Sequence, residues 1–370
     1  MKLNIRRLVF DFLIFGTGLL LSTAQVKANE ADTLSNKSEQ PEKKEAFKPG
    51  EIIFEHIGDS YSWPIATFKD VEVAIPLPVI VYSKTSGVHV FFSSKFDHGH
   101  ASYQGLEIAK EGKEKGKIVE VQPDGTTIKP IDISITKNVL SLFISLGLML
   151  WMFISIARRY VREPDKAPKG LQSFLEPLIL FVRDDIGIPS IGKERHEKYM
   201  PYLLTVFFFI LINNMMGLIP IFPGGANLTG NIAVTMVLAI LTFIITMVST
   251  NKGFWVHIVN TPGVPWWLKL PVPLMPFIEF SSSIVIRPFV LMIRLFANIT
   301  AGHINVLSFI MLIFIFGAMK PAIGWSFSPF SVAFVVFIYF IELLVAFIQA
   351  YVFTLLSALY FGMAKEESHH

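Results

Sequence analysis

The fold of this chain is decided by its last long apolar stretch, residues 330–363, which read FSVAFVVFIYFIELLVAFIQAYVFTLLSALYFGM. Glu342 is the only acidic or basic side chain in this stretch. An α-helix needs about 20 mainly apolar residues to cross a bilayer, and the stretch is longer than that. It therefore predicts a membrane helix that is tilted, kinked or partly outside the lipid. A second long helical region, residues 275–316, precedes it and leads to the same expectation.

The composition of the whole chain agrees with a membrane protein. Of its 370 residues, 52% are hydrophobic and 16% are charged, whereas about 25% of an ordinary soluble domain is charged. The formal net charge of +3 is too small to indicate a nucleic-acid partner. Because the chain contains no cysteine, disulfides, thiol nucleophiles and cysteine-ligated metals are excluded.

Five apolar segments are predicted to cross the membrane. The first ends just before Arg158, Arg159 and Arg162, and the positive-inside rule places such a basic cluster in the cytoplasm. The amino end of the chain is therefore expected outside and the carboxyl end inside. Apolar residues at helical spacing between the first two spans predict an amphipathic cytoplasmic or interfacial helix. The predicted spans are residues 139–157, 201–220, 232–250, 275–316 and 330–363.

The amino-terminal third of the chain is predicted to be exported. Basic residues, a short apolar run and small residues are typical of a secretory signal peptide, 1–28, although an uncleaved membrane helix is the alternative. Polar residues then predict a disordered linker, 29–50. Short β-rich runs with turn residues between them predict a β-rich periplasmic domain, 51–136. The predicted fold class is thus a mainly α membrane domain, 137–370, with a small β-rich ectodomain.

Histidines in the predicted ectodomain leave one further possibility open. The domain contains His56, His89, His98 and His100, and the segment with Asp97, His98 and His100 could hold a metal ion. No fixed ligand spacing is evident among them. Solvated loop histidines are therefore the preferred interpretation, and we predict no metal site.

Polar side chains inside the last two helices are candidate functional residues, because such groups are costly in lipid. Arg294 lies well inside its span, where a guanidinium needs a carboxylate or water to offset its desolvation. Offsets of four and eleven residues place Asn298 and Asn305 on the Arg294 face of the helix. His303 points roughly the other way, so two separate polar surfaces are predicted.

Simpler structural roles exist for some of these side chains. Arg287 could snorkel to the cytoplasmic headgroups. Asn298 and Gln349 could serve only to hydrogen-bond between helices.

An antiparallel hairpin would pair the polar residues of the two helices by depth. If the hairpin turns near Ala322, His303 lies level with Glu342, and Arg294 lies level with Gln349. An acid and an imidazole a turn or two outside a buried Arg–Gln pair are typical of a proton path that meets a fixed positive charge.

Residues 287–303, RPFVLMIRLFANITAGH, closely resemble the signature of subunit a of the rotary F-type ATP synthases. The resemblance continues at Glu342 and in residues 349–353, QAYVF, and more loosely in residues 213–220, NNMMGLIP. It covers about residues 137–365, and its RLFAN core is highly specific. The signal peptide and the β-rich domain depart from the minimal family pattern. Such an exported extension is expected of Bacteroidetes-like members.

The resemblance implies a role for each polar residue. Arg294 is implied to be the stator arginine that faces the essential carboxylate of the rotating c-ring, and Asn298 and Gln349 are implied to support that contact. His303 and Glu342 are implied to be the acid–imidazole pair of the half-channel that opens to the outside. Supporting positions are Arg287, Asn213, Asn214, Asn305 and Tyr360.

The resemblance also implies partners and a location. The protein is implied to be a proton-translocating stator subunit in the bacterial inner membrane. Its implied partners are the c-ring proteolipid subunits, the subunit b stator stalk, the rest of the ATP synthase complex and the lipid bilayer. No cofactor and no nucleic acid are expected. The chain has no Gly-x-x-x-x-Gly-Lys motif for ATP phosphates, so nucleotide chemistry is expected elsewhere in the complex.

Two other functions stay open at this point. A secondary transporter predicts internal repeats, and none is visible in the sequence. A stand-alone proton channel would carry similar polar residues, and co-purification with a ring of small proteolipids would exclude it.

The predicted topology can be tested with protease. Protease added to intact cells with permeabilised outer membranes should cut within residues 29–136, because this region is expected outside. Amino-terminal sequencing of the untreated mature protein should begin near Gln25 or Asn29. Protection of residues 29–136 until the membranes are inverted would refute the topology.

Overall fold

The protein is described here by a computed structural model that covers residues 49–68, 71–99, 101–110, 112, 114–122, 126–163, 167–219, 222–251, 254–255 and 274–364. The predicted signal peptide and nearly all of the predicted linker lie outside the described residues. His100, one of the candidate metal ligands, also lies outside them.

The ectodomain consists of one helix and short antiparallel strands. The helix, α1, was not predicted, because residues 49–57 were assigned to the linker and the β-rich domain. Strands β1 and β2 pair with each other, β3 lies between β4 and β8, and β6 lies between β5 and β7. A small β-rich domain is therefore confirmed. The elements are α1 Pro49–Ile57, β1 Ser62–Phe68, β2 Val71–Pro76, β3 Pro78–Ser83, β4 Gly87–Phe92, a 3₁₀ helix Ser93–Gly99, β5 Leu106–Ile108, β6 Ile118–Val121, β7 Thr127–Ile128 and β8 Ile131–Asp132.

A buried carboxylate joins two of the sheets. Glu120 of β6 is 7% exposed and accepts hydrogen bonds from hydroxyl groups at the turn between β3 and β4. Ser83 contacts one carboxylate oxygen, and Thr85 and Ser86 donate to the other at 2.6 and 2.8 Å. These donors hold the pKa of Glu120 below its usual value, because they stabilise the ionised form.

The membrane region is built from long apolar helices. Four helical segments in the described part of the chain are long and apolar enough to cross a membrane, and α6 is an apolar helix of 17 residues. The predicted amphipathic segment is α3, which continues through a π-helix, Val182–Gly187, into α4. The helices are α2 Lys137–Arg162, α3 Leu171–Phe181, α4 Ile188–Ile191, α5 His196–Leu218, α6 Ile232–Val248, α7 Leu274–Ser281, α8 Arg287–Met319 and α9 Pro321–Met363, with a second π-helix, Ser282–Ile286, between α7 and α8.

Helix α5 forms the centre of the membrane region. Its Phe207, Phe208 and Phe209 are at most 1% exposed. A helix that is apolar on all sides is suited to the inside of a bundle. It packs against α2 and α9, whereas only four of the 33 residues of α8 are buried in this chain.

The last two helices form the predicted antiparallel hairpin. The chain turns at Lys320, two residues from the predicted position near Ala322, whereas α9 begins at Pro321 rather than near Phe330. Proline is favoured at the first position of a helix, where its missing N–H needs no partner. Near the turn the backbones touch, because a Cβ on Gly324 would lie 2.7 Å from the Cα of Gly317.

Replacing Glu120 by glutamine should make ectodomain stability less dependent on pH. Because the folded-state pKa of Glu120 is lowered, its stabilisation is complete above the usual glutamate pKa of about 4.3 and is lost as the pH falls through the folded-state value. At pH 7, hydrogen exchange of the β3 and β4 amides in the intact protein should show an opening free energy lower by about 1–3 kcal/mol in Glu120→Gln. The difference from wild type should shrink in acid, and a difference independent of pH would contradict this account.

Candidate functional site

One face of α8 is polar and open. Arg294, Asn298 and Asn305 are all exposed, as the helical spacing predicted for a shared face. Ala297 and Ala301 lie between them on the same face and are exposed too. Alanine leaves the backbone accessible, so another helix can approach this face closely.

Arg294 has no acidic partner within the described residues. No carboxylate there lies within salt-bridge distance of its guanidinium. Arg294 is exposed in this chain, whereas Gln349 is 6% exposed inside the helix bundle, and the expected buried Arg–Gln pair stays a prediction. Helix α8 directs its Arg294 face away from the bundle. The carboxylate expected to pair with Arg294 must therefore come from outside the described residues.

Glu342 lies against the backbone of α8 at Gly302. A Cβ on Gly302 would be 2.8 Å from the side-chain carboxyl carbon of Glu342, so a larger residue would displace the carboxyl group. Glu342 is 9% exposed, and its Oε1 atom is buried without a hydrogen-bond partner among the described residues. The predicted depth match between Glu342 and His303 thus holds to within one residue of α8.

His303 points towards α5 rather than towards the Arg294 face. If Gly217 carried a Cβ atom, the Nε2 atom of His303 would lie 3.5 Å from it. The carbonyl oxygen of Ala226 would lie at the same distance. In the described part of the structure, no hydrogen bond joins His303 to Glu342 directly. The sequence prediction of two polar surfaces on α8 therefore agrees with the structure, and a water-mediated link fits the pair better than direct contact.

Two neighbouring asparagines of α5 stand in different environments. Asn214 donates to the carbonyl of Ala346 on α9 at 3.3 Å and accepts from the Thr229 hydroxyl at 2.6 Å. Asn213 donates to the carbonyl of Phe209 in its own helix at 2.8 Å. Asn214 therefore joins α5, α9 and the α5–α6 loop, whereas Asn213 makes no described bond outside α5.

Arg287 is held near the other end of α8. Its Nη2 atom lies 3.8 Å from Oε1 of Glu279, and its guanidinium carbon lies 5.5 Å from the centre of the Tyr360 ring. The sequence analysis did not identify Glu279. Glu279 stands eight residues before Arg287, a little over two helical turns away, and this spacing was the signal that could have indicated a contact between them. Arg287 thus has protein partners, which Arg294 lacks among the described residues.

Several buried polar atoms of the membrane helices and the α5–α6 loop have no protein hydrogen-bond partner in the described part of the chain. Buried polar groups that the protein leaves unpaired are usually satisfied by water. They occur on α2, α5, α8, α9 and the α5–α6 loop, and they indicate a hydrated region inside the bundle. The atoms are Oδ1 of Asn138, Oδ1 of Asn213, Nδ2 of Asn227, Oγ1 of Thr300 and Oε1 of Glu342.

The ectodomain histidines provide no comparable site. Both ring nitrogens of His89 are engaged, one with Gln104 at 2.7 Å and the other with Ser86 at 2.8 Å. Within the described ranges, no three histidine, aspartate or glutamate residues are grouped closely enough to hold a metal ion. The polar residues of the membrane helices therefore form the candidate site.

Comparison with known proteins identifies two family models in the chain. The model described as ATP synthase A chain matches residues 139–362, more than half of the chain. A model described as a domain of unknown function matches residues 52–138.

Individual relatives are similar over most of the chain. A protein named ATP synthase subunit a from Chloroherpeton thalassium is 42% identical over 246 residues, which are 65% of this chain and 69% of the relative. The subunit a of Chlorobium phaeobacteroides is 37% identical over 309 residues, 79% of this chain and 85% of the relative. The subunit a of Myxococcus xanthus is 39% identical over 307 residues, 81% of this chain and 91% of the relative.

The two asparagines of α5 should differ in their contribution to stability. Asn214→Ala should lower the free energy of unfolding by about 1–2 kcal/mol, because two hydrogen bonds that join separate segments are lost. Asn213→Ala is the matched control, since it is equally buried but bonds only within α5, and it should cost about 0.5 kcal/mol. Thermal unfolding in detergent measures both values. Equal or reversed losses would show that Asn214 does not tie the helices together.

Proposed function

This chain belongs to the ATP synthase subunit a family, and we propose that it supplies the stator arginine and two proton half-channels of the membrane sector. As a member of the family it is a multi-pass membrane protein that translocates protons together with the rest of the ATP synthase complex. The finer assignment depends on the arrangement of polar residues on α8 and α9.

The observation that carries the proposal is the open position of Arg294. Its guanidinium lies on an exposed helix face in a membrane span, without a carboxylate among the described residues. An arginine in that environment is very costly unless an anion meets it. A ring of proteolipids that presents one carboxylate at a time to Arg294 satisfies this requirement.

The small residues beside Arg294 support contact with such a ring. Ala297 and Ala301 lie on the same exposed face and leave room for a closely packed partner helix. Asn298 lies one turn from Arg294 and can hydrogen-bond to a carboxylate held there. Gln349 is buried behind this face, so we assign it to supporting the helix contact rather than touching the ring carboxylate.

The chemistry follows from the cost of charge in lipid. A ring carboxylate must be neutral before it enters the lipid, so it takes up a proton on one side of Arg294 and releases one on the other side after nearly a full rotation. Arginine stays protonated, and its positive charge therefore favours the ionised carboxylate and blocks proton transfer between the two half-channels. The electrical part of the protonmotive force contributes about 2.3 kcal/mol per proton per 100 mV.

We assign His303 and Glu342 to the outer half-channel. Both lie on the side of α8 that faces the bundle, among buried polar atoms that require water. An imidazole accepts and releases a proton near neutral pH, and a carboxylate at the same level can receive a proton from it, which suits a relay. Arg287, near the opposite end of α8 and paired with Glu279, belongs on the inner side in this arrangement.

The remaining assignments follow from the same topology. We propose that the chain lies in the bacterial inner membrane with residues 51–136 in the periplasm and the carboxyl end in the cytoplasm. The exposed outer faces of α2, which include Trp151 at 63% exposure, are available to lipid and to the subunit b stator stalk. A stand-alone proton channel is less favoured, because it would leave Arg294 without a counter-ion.

Replacing Arg294 should abolish coupling without preventing assembly. Arg294→Ala should lower proton-driven ATP synthesis in vesicles about a hundredfold or more, equivalent to about 2.7 kcal/mol, because the ring carboxylate loses its fixed counter-charge. Arg294→Lys should be nearly as damaging, since lysine can release its proton. Arg287→Ala is the matched control on the same helix and should retain more synthesis. Assembled Arg294→Ala vesicles that synthesise ATP at the wild-type rate would refute the assignment.

His303 and Glu342 should act as a coupled pair. His303→Ala and Glu342→Gln should each slow proton uptake by reconstituted vesicles, because each removes one relay group. The exchanged variant, His303→Glu with Glu342→His, should retain more activity than the two single variants predict, since one acid and one imidazole remain at the same level. A double-mutant cycle at several pH values measures the coupling. Coupling below about 0.5 kcal/mol would show that the residues act independently.

A further inference from the structure

The ectodomain is seated on the two elements that enclose His303. Its helix α1 packs against α8. Trp63 of β1 is 2% exposed and contacts the Phe222 ring of the α5–α6 loop edge to face, with ring centres 5.1 Å apart. The same loop supplies Ala226, which lies beside Gly217 and His303. The ectodomain therefore closes over the outer side of the bundle at the level of this histidine.

The junction between the ectodomain and α2 is polar. Asp59 accepts a hydrogen bond from the backbone N–H of Asn138 at 3.0 Å, and the carbonyl of Ser60 accepts one from the N–H of Lys137 at 2.8 Å. The Lys137 ammonium donates to the carbonyl of His56 at 3.3 Å. These contacts hold the end of α1 at the outer end of α2. They also collect a carboxylate, an imidazole and an ammonium in one place.

This polar group lies close to His303. Helix α1, which ends at the cluster, packs against α8, the helix that carries His303. Lys137 is 4% exposed and Asn138 is 3% exposed, so polar groups continue from the surface into the protein. Oδ1 of Asn138 is buried and has no hydrogen-bond partner among the described residues, which indicates water at this point.

A purely structural attachment does not require these features. Apolar contacts such as Trp63 with Phe222 are sufficient to seat one domain on another, and they involve no desolvation of charge. Burying the Lys137 ammonium and the unpaired Asn138 amide oxygen costs free energy. A functional role of these polar groups would explain why the chain carries them. A hydrated passage from the surface to His303 is such a role.

We propose that the exported domain forms the outer wall of the proton inlet, and that protons reach His303 through the polar cluster of His56, Asp59, Lys137 and Asn138. The inference rests on the proposed function of His303 in the outer half-channel. It gives the domain of unknown function a role in proton uptake by the complex.

The cluster has the chemistry of an inlet. His56 and Asp59 lie at its outer end, where part of each residue is exposed and can exchange protons with the periplasm. Desolvation and the Lys137 ammonium lower the pKa of His56, so its imidazole is largely neutral at pH 7 and able to accept a proton. The Asp59 carboxylate balances the Lys137 charge, which keeps the inlet from repelling protons. Water at Asn138 then continues the path inwards.

Single cysteines introduced into this chain provide the test, because the chain has no cysteine of its own. His56→Cys in the intact complex is labelled from outside with a trimethylammonium methanethiosulfonate reagent. ATP-driven proton pumping is compared before and after labelling, so that each sample is its own reference. Labelling should reduce pumping about tenfold, because a bulky fixed cation blocks the inlet. Ser60→Cys, a near-isosteric change in the same cluster, should respond in the same way if His56→Cys does not assemble.

Val90→Cys is the matched control. Val90 is 67% exposed on the ectodomain surface and lies outside the cluster, so its labelling should leave pumping unchanged. Quantitative labelling at position 56 or 60 without loss of pumping would overturn the inlet, and so would equal loss after labelling at position 90. Arg294→Ala, measured in parallel, separates the two proposals. If it abolishes pumping while cluster labelling has no effect, the inlet is wrong and the proposed function stands; if it pumps normally, the proposed function itself fails.

Discussion

A guanidinium at the level of the lipid needs an anion, and the described part of this chain provides none to Arg294. The rest of the arrangement depends on that requirement. Helix α8 must leave one face open for a partner, and its buried residues are few compared with those of α5. Because α8 contributes little buried surface, α5 provides much of the packing. Its three consecutive buried phenylalanines lie in this core. The open face is thus stable only as part of a larger membrane complex.

The second polar region is separated from Arg294 by the body of α8. Gly302 makes room for the Glu342 carboxyl group, because a Cβ at this position would lie 2.8 Å from the carboxyl carbon. His303 lies nine residues from Arg294, or about 14 Å along the helix axis. In the proposed function, a proton carried by His303 and Glu342 passes near the face that carries Arg294 but not on it. The body of α8 then separates the proposed relay from the fixed charge.

Helical periodicity predicted much of this arrangement. The 3.6-residue repeat was enough to place Arg294, Asn298 and Asn305 on one face and His303 on another, and counting from a hairpin turn brought Glu342 to within one residue of its observed neighbour on α8. The burial of Gln349 away from an exposed Arg294 was not predictable, because spacing along a helix does not say which face meets solvent, lipid or partner. Helix α9 begins nine residues before the predicted Phe330, because Pro329 lies inside the helix and does not end it.

The ectodomain was less predictable for a different reason. Alternating β-branched residues indicated its longer strands, but β7 and β8 have two residues each and carry no periodic signal. Helix α1 was missed because its nine residues follow a polar segment, and its stability comes from contact with α8, which lies more than 200 residues away in the sequence. Contacts of this kind depend on tertiary structure rather than on local sequence. The proposed role of this domain in proton uptake depends on the same contacts.

The account requires above all that the Arg294 face of α8 lies against the proteolipid ring. A photoreactive benzophenone maleimide attached to Ala301→Cys in the assembled complex tests this directly, because the chain is otherwise free of cysteine. Trp151→Cys on the exposed side of α2, which packs against α5 rather than α8, is the control position. The account predicts that light cross-links position 301 to the proteolipid and position 151 to other neighbours. Cross-linking of the proteolipid from position 151 but not from position 301 would contradict it.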